Sequence, residues 1–431
     1  MTVTKAKARE RPSAECVIQD DSACDIVIEA KTARSSKRHG SASRTRTTRD
    51  RDATHDYGAT DDRRAHLDRR ATHEPGDGMR ETVRDVRIGS HRIGPGRRCF
   101  LVAEAGVNHN GSVATAFSLV DAAAEAGADG VKFQMFRAAD LTTAAAATAA
   151  YQRAATGTLS QREMLSRLEL SLDAFAAIRG HCEQRGILFL ATPFSVCAAA
   201  RLAGLGAPAI KIASTDLTNR LLLDAAVSSE LPILLSTGAA SEEEISRSVR
   251  YLASAGGGGR MILLHCVSCY PTPVKRINLA AMKTLRRRFG VPVGLSDHTT
   301  STAMGGWAAA AGACVLEKHL TLDAHGAGPD HAMSLTPDQF RVYVEEVRRV
   351  EELMGDGVLG MTPEQSEVRR LACKSVAAAG DIAEGAPLTT AMVMVKRPGT
   401  GIPAWDYDAV IGKTARMFIP GDTILSWDML R

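Results

Sequence analysis

The sequence predicts a (β/α)8 barrel followed by a small domain of short strands, and three observations carry that prediction. From Cys99 onward, short apolar runs alternate with helical segments eight times within about 255 residues, close to the ~250 usual for such barrels. The runs are apolar on both faces, as parallel strands covered by helices must be. From Lys374 to Arg431 the helical period is missing, and alternating runs are broken by Gly, Pro and Asp turns. An open doubly wound sheet is the competing architecture. It calls for a GxGxxG turn after an early strand, and none follows any strand here.

Taken in order, CFLVAEAGV is the first strand and ATAFSLVDAAAEAGA an amphipathic helix ending near Gly127. GVKFQMF is the second strand. A long irregular segment then leads to the helix LDAFAAIRGHCEQRG. ILFLATPF, a helix from Val196 to Leu205, AIKIAST, a helix from Asn219 to Ser229, and PILLSTG follow. SEEEISRSVRYLASAG opens on a serine N-cap with an acidic first turn, a helix start. RMILLHCVS, VPVGLSDHT and CVLEKHLTL are strands six to eight. The closing helix TPDQFRVYVEEVRRVEELMG has Thr336 as its cap and Pro337 at its first position.

The domain limits that follow are a barrel over 91–357, a linker over 358–373 with room for a short helix, and a small domain over 374–431. Residues 1–90 lack apolar periodicity and cannot bury enough surface to offset ordering entropy, which predicts disorder. In a second reading they are not native to the folded protein, and Met79 is the start. They hold nineteen Lys/Arg against sixteen Asp/Glu, too balanced for a nucleic-acid-binding arm. Nine cysteines is an odd number, and several sit in apolar runs as small hydrophobes. With no long apolar span or signal peptide, a reducing cytoplasm is expected.

Polar residues recur at one end of the predicted strands. Glu104, Lys132 and Gln134, Thr192, Lys211 with Ser214 and Asp216, Ser236, Tyr270, Ser296 with His298, and Glu317 to His319 all fall there. Active sites of such barrels lie at the carboxyl ends of the strands. Buried polar groups without partners are costly, so packing alone does not explain the pattern. His298 and His319 end neighbouring strands and suit a divalent metal, although two hydrogen-bonded histidines would look the same. Lys132, Lys211, Ser214, Ser236 and Ser296 suit a phosphate and a carboxylate. Glu104 among these cations suits a general base.

AEAGVNHNG, VKFQMF, ATPFS, KIAS, LSTG, YPTP, GLSDHT, LEKHLT and GPDH, in this order, resemble the sialic acid synthase family. KSVAAAGDIAEG with VKRPGTGI resembles its C-terminal antifreeze-like (SAF) domain. The resemblance implies a (β/α)8 barrel with a SAF domain, in a domain-swapped homodimer. It implies a transferase that condenses phosphoenolpyruvate with N-acetylmannosamine or a related amino-sugar aldehyde, giving a nonulosonic acid and phosphate. By position, His298 and His319 match the ligands of a divalent metal, manganese or magnesium. Lys132, Thr192, Lys211, Ser214, Ser236 and Ser296 match the phosphoenolpyruvate site, and Glu104 the acid–base group. Gln134, Tyr270 and Asp330 match the sugar site, with Arg397 reaching it from the partner's SAF domain. Thr215 and Asp216 replace the Gly-Glu usual after the serine of the fourth strand. Ser268 replaces an asparagine usual near the phosphate. Three rivals stand beside this reading: a legionaminic or pseudaminic acid synthase, a Schiff-base aldolase using Lys132 or Lys211, and a non-catalytic binding protein on the same fold.

Overall fold

The structure, a computed structural model, describes residues 83–158 and 160–431. The chain divides into two compact units, one ending at Glu351 and one running from Glu352 to Arg431.

The first unit opens with an antiparallel hairpin, β1 (Val86–Ile88) and β2 (His91–Ile93). Eight parallel strands follow: β3 (Phe100–Gly106), β4 (Gly130–Met135), β5 (Leu188–Pro193), β6 (Ile210–Ile212), β7 (Ile233–Ser236), β8 (Met261–Cys266), β9 (Val293–Asp297) and β10 (Val315–His319). Their hydrogen-bonded order is β5-β4-β3-β10-β9-β8-β7-β6, and β5 and β6 at its two ends lie against each other, so the sheet curls into a near-closed barrel. The predicted fold class is therefore the observed one.

The first-unit helices are α1 (Val113–Glu125), α2 (Ala138–Leu141), α3 (Ala150–Thr156), α4 (Gln161–Ser166), α5 (Leu172–Arg185), α6 (Val196–Gly204), α7 (Arg220–Ser228), α8 (Glu242–Leu252), α9 (Ala280–Phe289), α10 (Met304–Ala310) and α11 (Pro337–Met354). Short polar residues start many of them. The side chains of Ser112, Ser171, Ser195, Asn219 and Ser241 each accept from a backbone N–H three residues on. Leu119, Ile178, Leu202, Leu222, Val249 and Tyr343 of these helices pack onto the outer face of the barrel strands.

Strand alternation sends every second residue inward. Toward the amino ends this inward file is apolar: Phe100, Val102, Leu190, Leu234, Ile262, Leu264 and Val315. At the carboxyl ends the same file turns polar: Glu104, Lys132, Thr192, Lys211, Ser236, Ser296, Glu317 and His319, all buried. Val86, Ile88 and Ile93 of the hairpin pack into the apolar end. This corrects the expectation of disorder through residue 90. Val-Arg-Ile is too short a run to announce a strand, yet its two apolar residues have a barrel interior to fill. The earlier part of that expectation, and the start at Met79, lie outside the described residues.

Between β4 and α5, where no period is legible, the chain forms three short helices. The Thr148 hydroxyl donates to Thr158 O at 2.7 Å, and the Arg162 guanidinium donates to Thr142 O at 2.8 Å, tying the excursion together. In the second unit, α12 (Pro363–Ala372) occupies the stretch read as a linker, with Thr362 and Gln365 forming a reciprocal cap. β11 (Ser375–Ala378) and β12 (Val393–Lys396) pair antiparallel, and Val376, Ile382, Leu388, Ile402 and Leu425 fill a small core.

Candidate active site

Strand register places the polar residues side by side at the carboxyl mouth. Glu104 stands opposite Lys132 on β4 and His319 on β10, and Glu317 stands opposite Ser296 on β9. Lys132 is ion-paired with Glu104 and donates to Thr192 Oγ1 at 2.9 Å. Its Nζ is also 3.7 Å from Glu317 Oε2. Glu317 Oε1 lies 3.6 Å from Lys211 Nζ and accepts from Ser296 Oγ at 2.8 Å. Glu317 is thus the hub joining both lysines to Ser296. The sequence placed it at a strand end without assigning it a role; it is the one acidic inward position of β10.

The charges follow from these contacts. Burial raises a carboxyl's pKa, but the Lys132 and Lys211 ammoniums overcome it at Glu317 and hold that group at about 2. Glu104 is pushed the other way. Burial dominates there, Glu317 adds repulsion, and Lys132 offsets only part, so Glu104 takes a proton more readily than an ordinary glutamate. Burial would depress Lys132, yet Glu104 and Glu317 hold its ammonium above the usual value. Lys211 is depressed by burial, which Glu317 opposes and Lys132 reinforces.

The rings of His298 and His319 have centroids 5.5 Å apart. His298 Nδ1 donates to Val267 O at 3.0 Å, which leaves Nε2 with its lone pair. His319 Nδ1 is buried without a hydrogen-bond partner. Burial lowers the pKa of both histidines, and at His319 the His298 and Lys132 charges lower it further. Two neutral imidazoles, one with an orphaned buried nitrogen, fit a divalent metal. Among the described residues no three His, Cys, Asp or Glu side chains converge on one point, so protein would supply only part of the coordination sphere. His319 stands beside Glu104 across β10 and β3, and Glu104 beside Lys132 across β3 and β4, so the imidazole pair and the lysine cluster lie at the same mouth of the barrel.

Most of the remaining predicted residues gather in two clusters. Ser214 and Ser268 hydroxyls lie 3.0 Å apart, and a Cβ on Gly238, two residues past Ser236, would sit 2.4 Å from Ser268 Oγ. The loops after β6, β7 and β8 therefore meet there, beside a Ser236 hydroxyl that is buried with no hydrogen-bond partner. Gln134, Glu104 and Asp330 surround Gly106: a Cβ there would meet Glu104 Oε1, Gln134 Nε2 and Asp330 Oδ2 at 3.3, 3.4 and 3.5 Å. Burial, reinforced by Glu104 and offset in part by Lys132, pushes Asp330 up to about 7. Tyr270 packs on His298 with ring centroids 4.3 Å apart. Asp216 accepts from Asn219 at 2.9 Å, and burial raises its carboxyl. Arg397 is exposed in the second unit.

Cys266 is buried with Sγ 3.8 Å from His298 Nδ1, while Cys269 is exposed. Tyr151 of α3 stacks on Tyr270, centroids 5.4 Å apart. Sequence reading missed Tyr151 because it lies in the segment that showed no period. No helix among the described residues is long and apolar enough to cross a membrane.

The chain is similar to known proteins over most of its length. An N,N'-diacetyllegionaminic acid synthase of Campylobacter jejuni is 38% identical over 74% of this chain and 96% of its own. One of Legionella pneumophila is 36% identical over 78% of this chain and 95% of its own. The crystal structure of N-acetylneuraminic acid (sialic acid) synthetase from Leptospira borgpetersenii, in complex with citrate, superposes with a TM-score of 0.60 at 32% identity, covering 66% of this chain and 95% of that one. A spore coat polysaccharide biosynthesis protein E from Chromobacterium violaceum gives 0.66 at 26% identity, over 77% of this chain and 99% of that one. Residues 119–359 match the NeuB family and residues 374–431 the SAF domain, so the chain is a member of the NeuB family with a C-terminal SAF domain.

Proposed function

We propose that the protein condenses phosphoenolpyruvate with an amino-sugar aldehyde to give a nonulosonic acid and inorganic phosphate. The observation that carries this reading is the convergence of Lys132 and Lys211 on Glu317, in the same mouth that holds two neutral imidazoles. The names of the relatives support it, legionaminic acid synthases above all. The acceptor is N-acetylmannosamine or a diamino-sugar relative of the kind a legionaminic acid synthase takes; the higher identity to legionaminic than to pseudaminic acid synthases, 38% against 31%, favours a legionaminic-type over a pseudaminic-type acceptor.

Lys132, Lys211, Thr192, Ser214, Ser236, Ser268 and Ser296 hold the phosphate and carboxylate of phosphoenolpyruvate, with the ammoniums countering charge as phosphate departs. Carbon 3 of phosphoenolpyruvate attacks the aldehyde carbon, forming the new C–C bond. Water adds to carbon 2, and the tetrahedral intermediate expels phosphate with cleavage of the C–O bond. Glu104, whose burial favours the protonated form, moves the proton at the aldehyde oxygen or the attacking water. Gln134, Asp216, Tyr270 and Asp330 orient the sugar. His298 and His319 would hold a divalent ion, manganese or magnesium, which when bound polarises the acceptor carbonyl as a Lewis acid. The homodimer implied by the resemblance, with Arg397 of one protomer at the sugar site of the other, belongs to the same proposal, as does a cytoplasmic location.

The test is a panel of amino sugars with phosphoenolpyruvate and Mn2+, read as phosphate release, beside borohydride trapping with pyruvate. Phosphate release without a covalent adduct supports the synthase. A pyruvate–lysine adduct without phosphate release supports an aldolase instead.

A further inference from the structure

Four aromatic rings form a continuous line from the rim of the barrel to its inner wall. Tyr151 stacks on Tyr270 at 5.4 Å with 28° between planes. Tyr270 meets His298 at 4.3 Å, and His298 meets His319 at 5.5 Å. The inner three belong to residues already assigned; Tyr151 does not. It is half-buried, and its helix is α3, in the excursion between β4 and α5. That excursion is built rather than loose: Ala147 bridges Ser160, and the Thr148 hydroxyl is tied to Thr158 O at 2.7 Å. The Asp330 carboxylate is close enough to act on the Tyr151 phenol, and burial with that charge pushes it up to about 12, so its hydroxyl remains a donor at any working pH. Asp330 itself borders Gln134 and Glu104 around Gly106.

Tyr151 therefore faces the part of the mouth where Asp330 and Tyr270 lie. A flat ring with a polar tip, beside a carboxyl group, suits the apolar face and N-acyl group of a sugar. A neutral phenol brings no cation to a phosphate or a carboxylate, whereas the lysine cluster does. We propose that Tyr151 is a specificity-determining residue of the acceptor site, its ring extending the Tyr270 wall against an N-acylated amino sugar and taking no part in binding phosphoenolpyruvate. This inference rests on the condensation reading for the identity of the acceptor.

The experiment uses the full chain as wild type, Tyr151→Ala and Tyr151→Phe. With N-acetylmannosamine varied, Tyr151→Ala raises the acceptor KM by about tenfold, the loss of a ring contact of ordinary strength. The KM for phosphoenolpyruvate stays within about twofold, and Tyr151→Phe recovers most of the acceptor affinity because it keeps the ring. An acceptor KM that does not move in Tyr151→Ala, or two KM values that rise together, overturns the proposal. Saturation-transfer NMR on the acetyl methyl of N-acetylmannosamine judges the wall without turnover. Transfer to wild type that is lost in Tyr151→Ala supports it, even if no phosphate is released and the condensation reading falls. Absent transfer to wild type, or undiminished transfer to Tyr151→Ala, overturns it.

Discussion

Lys211 and Glu317 meet across the barrel interior, Nζ to Oε1 3.6 Å, although their strands β6 and β10 stand four places apart in the sheet. Glu317 also faces Lys132, so a single carboxylate separates two buried ammoniums. Removing that charge is predicted to cost more than removing either lysine. Glu317→Gln leaves Lys132 and Lys211 facing one another and should lower stability by about 3–5 kcal/mol. Lys211→Met leaves Glu317 still paired with Lys132 and should cost less than half as much. Urea unfolding of both variants checks the order; a Lys211→Met variant less stable than Glu317→Gln contradicts it.

The Asp330 carboxyl gives a pH signature. Its pKa stands at about 7 in the folded chain against an ordinary 3.8. The folded state therefore binds this proton more tightly than the unfolded one. The stability this contributes is complete below the ordinary value and is lost as pH rises toward 7. Between pH 5 and 7 the loss should be roughly 1 kcal/mol per pH unit. Asp330→Asn should flatten that part of the curve. Urea midpoints at pH 5, 6 and 7 for both proteins measure the difference.

Gly106 is the one strand glycine whose conformation the site requires. Its φ of +55° lies in the left-handed region, and a Cβ would press on Glu104 Oε1 at 3.3 Å. Gly106→Ala is expected to lose about 1–2 kcal/mol from backbone strain. It should also cut turnover by displacing Glu104, Gln134 and Asp330 from one another. Thermal melts and phosphate release read the two effects separately.

The amino-terminal hairpin is predicted to be part of the barrel. Ile88 and Ile93 are fully buried and Val86 nearly so. A chain starting at residue 83 serves as the reference. One starting at Cys99 should lose several kcal/mol, at about 1.5–3 kcal/mol for each buried aliphatic side chain. Circular dichroism during urea titration distinguishes them.

Most of the barrel was legible in the sequence because short apolar runs alternate regularly with helical segments, many of which begin with Ser or Asn caps. The site was legible through the switch of the inward file from Phe100 and Val102 to Glu104, and from Val315 to Glu317 and His319. What escaped had no period to read. Three-residue strands such as Val86–Ile88 give too few alternations, and α3 is a seven-residue helix whose significance lies in one ring, Tyr151. The hub role of Glu317 was hidden for another reason: a residue's strand position follows from its neighbours in sequence, but which lysines reach it across the barrel follows only from closure.

The central claim is that the imidazole pair and the lysine cluster serve one reaction in one cavity. The most direct measurement is phosphate release from phosphoenolpyruvate and an amino-sugar acceptor, with Mn2+ or with excess chelator, for wild type and His319→Ala. The account predicts release from wild type with Mn2+, and none from wild type in chelator or from folded His319→Ala. Full release in chelator, or from His319→Ala, would contradict it.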